Sequence, residues 1–189
     1  VVIRRVPMLF RLSNQDGAFP ALSIEALRVA QGAKSYLIKS SGASSEQAFG
    51  VRTGIVAVKT GDLEVPTDAR GRMALYDTGH RSERYVSALA VLKDLAPKDK
   101  IEGQVIFIGT SAIGLKDMRS TPADDSVPGV EVHAQLAEQM LEQEFLARPD
   151  FADGAEFLYL AAIGLLFVIL LPRLSAARMA VVAAIFIAI

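Results

Sequence analysis

Apolar residues in this chain are concentrated at its C-terminal end. Phe157 to Leu171 reads FLYLAAIGLLFVILL, fifteen residues without a charge, and after a PRLSAAR break a second apolar run, Met179 to Ile189, continues to the last residue. As a helix the first run is about 22 Å long, short of the roughly 30 Å hydrocarbon core of a bilayer; Ala155 and the residues flanking Pro172 bring it close to a full span. Soluble helices nearly always keep a polar stripe, and neither run has one. A folded domain standing on a membrane is therefore expected. The mean hydropathy of +0.33, with 22% charged residues, agrees, since the apolar excess sits in this tail.

Charge suggests the orientation. Short loops carrying Arg or Lys are preferentially cytoplasmic. Between the two runs, Pro172 to Arg178 carries Arg173 and Arg178 and no acid, whereas RPDFADGAE, residues 148–156, holds three acids against one base. The expected organisation is an extracytoplasmic domain over residues 1–150, a transmembrane helix over 155–173, a short cytoplasmic loop over 174–178 and a second transmembrane helix from 179 to 189. The sequence starts on Val1 rather than Met and stops inside the second run, so a piece of a longer protein is expected. A net charge of −1 with no basic stripe argues against nucleic acid as a partner, and the absence of cysteine excludes disulfides and thiolate sites.

The globular part is punctuated by turn residues. Pro20 opens PALSIEALRVAQG, in which Leu22, Ala26, Val29 and Ala30 recur at helical spacing before Gly32. Residues 36–39 and 54–59 read as strands. LEVPTDARGRMALYD reads as a hairpin around Asp68 to Gly71, and SALAVLKDLA as a second helix. QVIFIG, residues 104–109, has the composition of a strand buried on both faces. A third helix is expected from Gly129 to Leu146, with Val130, Ala134, Ala137, Met140, Leu141 and Phe145 on its apolar side and Glu131, Gln135, Glu138, Glu142 and Gln143 on its polar side. The alternation of strands and helices favours an α/β or α+β layered fold.

Residues 103–134 are the densest in chemistry, yet three enzyme motifs fail there on spacing. Ile113 stands where a nucleophile elbow needs its second glycine, Leu115 separates Gly114 from Lys116 where a P-loop needs them adjacent, and Ser111 replaces a glycine of the dinucleotide fingerprint. The plain reading is a strand-to-helix connection that turns at Gly109 and Gly114, with Asp117 and Thr121 capping backbone N–H groups. The functional reading is a small ligand held by backbone amides of residues 109–114, because α/β sheets bind ligands at the C-terminal ends of strands. His133 falls beside the buried side of the third helix and lacks His or Cys partners at ligand spacing, so no metal is expected. His80 reads as exposed. No pair of carboxylates is placed for acid–base catalysis, so no catalytic residue is assigned.

The series RRVPML, FPALSIEAL, P-x-D-x-x-G-x-M at Pro66 to Met73, Tyr76-x-x-Gly79, VIFIGTSAIGLKD, Thr121-Pro122 and PGVEVHA resembles the second type of CHASE domain, the extracytoplasmic sensory module of bacterial cyclases and histidine kinases. The resemblance implies a sensor followed by membrane helices, usually three, and a cytoplasmic output domain, most often a class III adenylate or guanylate cyclase and otherwise a histidine or serine/threonine kinase. It thus implies a multi-pass protein of the bacterial plasma membrane, a homodimer whose partners are the lipid bilayer and a small-molecule or periplasmic stimulus, with no cofactor and no enzyme activity in this segment. The residues expected to receive the signal are Gly109, Thr110, Ser111, Gly114, Asp117 and His133. A purely structural dimerisation module is the alternative.

Overall fold

A computed structural model describes residues 2–14, 17–41, 54–111, 117–146, 148–149 and 151–170. The chain divides into two units, and the second begins at Arg148.

Among the described residues of the first unit, short strands are interspersed with α-helices: β1 (Arg5–Pro7), β2 (Leu9–Phe10), β3 (Phe19–Pro20), α1 (Leu22–Ala30), β4 (Tyr36–Ser40), β5 (Ile55–Thr60), β6 (Leu63–Pro66), β7 (Arg72–Ala74), α2 (Ala88–Leu92), β8 (Met118–Arg119), β9 (Val127–Pro128) and α3 (Gly129–Glu142). Among the described residues the strands pair antiparallel: β4-β5-β6 form one sheet, and β1-β7, β2-β3 and β8-β9 form two-stranded ribbons, with one isolated parallel bridge between Val2 and Ser120. The fold is therefore α+β, the second of the two layered forms expected.

The hairpin lies elsewhere than expected. β5 and β6 pair across Gly61-Asp62, with Thr60 opposite Leu63. Gly61 supplies a φ of +54°, and the Gln31 side chain accepts from the Asp62 N–H at 3.1 Å. The Asp68–Gly71 turn does form, with the Gly71 N–H bonded to the Asp68 carbonyl at 2.8 Å, but it is a corner. β6 stays with β5, whereas β7 leaves to pair with β1. The Asp68 carboxylate ties the corner, accepting from the N–H groups of Arg70 and Arg72 (both 3.0 Å) and from the side chains of Arg72 (2.8 Å) and Arg5 (3.2 Å).

One expectation fails outright. Residues 104–109 form no ladder with any described strand, and Ile108 is 90% exposed. Composition fitted a doubly buried strand, but such a strand needs hydrogen-bonding neighbours on both edges. Of this run, Phe107 alone packs against the core.

That core lies between α1, α3 and the strands. Met8, Ile24, Leu27, Val58, Val65, Met73, Leu136 and Met140 are its largest wholly enclosed apolar side chains. On α1 the buried side is Ser23, Ile24 and Leu27, while Leu22 and Val29 face outward. The exposed edge of α1 carries a compact polar knot. Arg28 grips the Glu25 carboxylate with two donors, at 2.7 and 2.9 Å, and the Tyr36 hydroxyl donates to the same group. These bonds hold Glu25 down to about 2.

In the second unit, α4 (Ala152–Leu170) has 19 residues, about 28 Å of helix, and is apolar enough to cross a bilayer. None of it is buried, unlike the core helix of a soluble protein. Arg148 pairs with Asp153 at 2.8 Å and Glu156 at 2.6 Å in its first turns. Residues 171–189, with the end of the first expected span, the loop and the second span, lie outside the described residues.

Candidate functional site

The third helix decides the site, and its orientation is the main surprise. Glu131, Val132, Gln135, Leu136, Ala137, Gln139 and Met140 are buried on α3, whereas Leu141 is exposed. Of the side that composition marked as polar, Glu131 and Gln135 face inward while Glu142 and Gln143 stay exposed; of the side marked as apolar, Ala137 and Met140 are buried and Phe145 packs against the core. Two apolar ladders compete along this helix at four-residue spacing, and the one with larger side chains, Val132-Leu136-Met140, takes the core. The neighbouring ladder, Glu131-Gln135-Gln139, then turns inward with it, and each of its side chains finds a partner.

Those partners lie on the chain that continues from β7. The Gln139 amide accepts from the Tyr76 N–H at 3.1 Å and donates to the Ala74 carbonyl at 3.2 Å, standing in for a neighbouring strand. Gln135 donates to the Gly79 carbonyl at 3.4 Å. Glu131, only 4% exposed, places Oε2 3.0 Å from Nδ1 of His80 and accepts from the Tyr85 hydroxyl. The imidazole and phenol rings lie tilted, 5.0 Å apart. Glu131 Oε1 is buried with no donor among the described residues.

Two further carboxylates brace this segment against residues 121–124. Asp77 accepts from the N–H groups of Gly79 (3.0 Å) and Ala123 (2.7 Å), and Asp124 accepts from the His80 N–H at 2.9 Å. Burial alone would push the Asp77 carboxyl up. Donors from Thr121, Ala123, Gly79 and Gln135 outweigh that, and it titrates below the usual range.

His80 is raised above its usual value, first by its bond to Glu131, against a smaller opposing effect of desolvation, and then by the negative charges of Glu131, Asp124 and Glu83. A histidine raised in the folded state stabilises it fully below its unfolded value of about 6.5, and this contribution disappears as pH rises through the folded value. His80→Gln should therefore lower the melting temperature at pH 6 and make little difference at pH 9. A melting-temperature difference that is the same at both values would exclude the ion pair.

The sequence-predicted residues occupy the other flank of the N-terminal turns of α3. Gly109 lies so close that a Cβ there would stand 2.5 Å from the Val130 Cβ, so only glycine fits without a shift. The Asp117 carbonyl accepts from the Gly129 N–H at 2.8 Å, and its carboxylate faces the bare Cα of Gly129. His133 is half-buried; burial holds its imidazole below the usual range, against the pull of the Asp117 charge, and Nδ1 has no partner among the described residues. Gly109, Asp117 and His133 are thus gathered around the start of α3. Thr110 and Ser111 are exposed, and Gly114 lies outside the described residues. Among those residues no group of His, Asp or Glu is arranged to hold a metal.

Sequence reasoning placed Glu131 and Gln135 on the polar side of the helix, gave Gln139 no side, and missed Tyr85 and Asp77. The repeat of hydrogen-bonding side chains at four-residue intervals beside a ladder of large apolar ones was the available signal.

The model of the CHASE2 domain matches residues 1–171. The chain belongs to the CHASE2 family. Comparison with curated proteins and with solved structures gives no match. A CHASE2 domain is an extracytoplasmic sensor of signalling proteins, and α4, inside the matched region, is a helix able to cross a membrane.

Proposed function

We propose that this CHASE2 domain is the sensory and anchoring segment of a multi-pass protein of the bacterial plasma membrane, and that it regulates a cytoplasmic class III adenylate or guanylate cyclase. In this reading residues 1–150 lie outside, the first span runs inward over 155–173, the Arg-bearing loop 174–178 is cytoplasmic and a second span follows. The protein works as a homodimer, as cyclases of this class do. The observation that carries the reading is α4 itself, an apolar helix with no buried residue that begins ten residues after α3 ends.

The same observation supports a route for the signal. α3 holds the Gly109-Asp117-His133 corner on one side and the His80-Tyr85-Glu131 group on the other, so a stimulus received at either would bear on one helix. The helix expected to reach Leu146 stops at Glu142. The N–H groups of Gln143 and Glu144 both turn back to the Gln139 carbonyl, and Gln143 takes a left-handed φ of +57°. The lever is therefore α3 as far as Glu142, and the helix does not run on through Gln143.

In membranes carrying the parent chain, inserting one or two residues beside Pro149 should change cyclic-nucleotide formation at unchanged protein level. A phosphatase fused after Glu142 should be active, and one fused in the 174–178 loop inactive. Unchanged synthesis after both the insertion and deletion of residues 1–146 would overturn regulation by this domain; reversed fusion activities would overturn the orientation.

A further inference from the structure

Beyond the Glu131 group, the segment 76–84 and the C-terminal half of α3 line an open polar cleft of about 230 Å³. It is smaller than sites that take drug-sized molecules, which fits a compact metabolite. Its charges are of two kinds. Arg84 is already engaged, with Glu138 at 2.6 Å and the Thr78 hydroxyl at 3.1 Å. Arg81, Glu142 and Glu144 make no side-chain hydrogen bond or ion pair among the described residues, so one cation and two carboxylates remain uncompensated around the cleft.

Gln135 provides a second, independent observation. It lines the cleft yet is only 3% exposed. Its amide nitrogen donates to the Gly79 carbonyl at 3.4 Å, which assigns the other end as oxygen. That oxygen, Oε1, is buried and has no donor among the described residues. A buried acceptor without a donor costs stability that a ligand N–H in the cleft would recover once the Gln135 side chain shifts to meet it.

We propose that this cleft binds a free basic α-amino acid. The ligand carboxylate pairs with the Arg81 guanidinium, whose planar fork suits that group; its two cationic groups face Glu142 and Glu144, with one N–H shared with Gln135. The charges balance: Arg81 with the two glutamates leaves one negative charge, and a basic amino acid carries one net positive charge. Because the walls come from both the 76–84 segment and α3, an occupant would strap the two together, on the same helix as the His80-Glu131 contact. This deepens the sensory reading by naming the class of stimulus, and it rests on that reading only for its consequence in signalling.

The test is calorimetric titration of the full chain in lipid nanodiscs with L-lysine and L-arginine, and with three controls: cadaverine, which lacks the carboxylate, L-norleucine, which lacks the second charge, and L-glutamate. Saturable binding of the two basic amino acids is expected, at least roughly tenfold tighter than any control. Arg81→Ala and the double variant Glu142→Gln, Glu144→Gln should each weaken lysine binding by at least roughly tenfold. Melting temperatures should stay unchanged, since these three side chains are at the surface. Absence of saturable binding of either basic amino acid at millimolar concentration would overturn the proposal. So would cadaverine or norleucine binding as tightly as lysine, or variants that bind as the parent does. Binding is read without any output domain, so failure here leaves the insertion and deletion tests of cyclase regulation standing on their own.

Discussion

Leu136→Ala should lower the unfolding free energy of the CHASE2 domain by about 3 kcal/mol, a fall in melting temperature of about 6–12 °C. Leu136 has no exposed surface and sits in the middle of the inward face of α3, among core residues from α1 and the strands. Removing its three outer carbons forfeits their transfer energy and leaves a cavity that α1 and α3, each held by several other large side chains, cannot close. Leu141→Ala, on the same helix but 56% exposed, should cost less than about 1 kcal/mol. Thermal unfolding of the two variants side by side checks the rotation of α3. Were Leu141 the costlier residue, the helix would present the face that composition first suggests.

Gly54→Ala should be as damaging, about 3 kcal/mol or more, for a backbone reason. Gly54 has a φ of +147°, and a Cβ there would stand 2.3 Å from the Ala69 carbonyl oxygen, which is main chain and has no side-chain rotamer through which to move aside. That same carbonyl accepts from the Ile55 N–H at 3.2 Å, while Gly54 exchanges hydrogen bonds with Ser41. The close approach thus joins the end of β4, the start of β5 and the Asp68 corner. Gly79→Ala is the control. Gly79 also has a positive φ, +72°, but nothing within 4 Å of the added carbon, so only the conformational penalty of about 1 kcal/mol remains. Equal losses in denaturant titrations of the two variants would show that crowding at Gly54 contributes nothing.

Local signals in the sequence located most elements, and non-local ones decided how they face. Pro20 and Gly32 bracket α1, Gly129 opens α3 and the alternation in residues 54–59 marks β5, because caps and turns act over a few residues. The partner of β6 was not legible. Gly61-Asp62 and the Asp68–Gly71 turn both have turn composition, and only the core decides that the first closes a hairpin while the second sends β7 to β1. Residues 104–109 show the same limit from the other side, since an apolar run states a preference for burial without naming what buries it. Asp117 and His133 were singled out from their place in and after a glycine-bearing loop, and both lie near the start of α3. Glu131, Gln135 and Gln139 were not singled out, because an acidic or amide side chain is buried only when a partner distant in sequence meets it. Those partners, Ala74 to Tyr85, lie more than forty residues away.

The uniform character of α4 has a mechanical consequence. With apolar side chains on every side over most of its length, it has no greasy edge and wet edge for a bilayer to distinguish, so lipid sets its depth but not its azimuth. Its polar contacts are gathered at one end, where Arg148 pairs with Asp153 and Glu156 in the first turns. In a bilayer, a twist applied at that end would meet no restoring torque from the hydrocarbon.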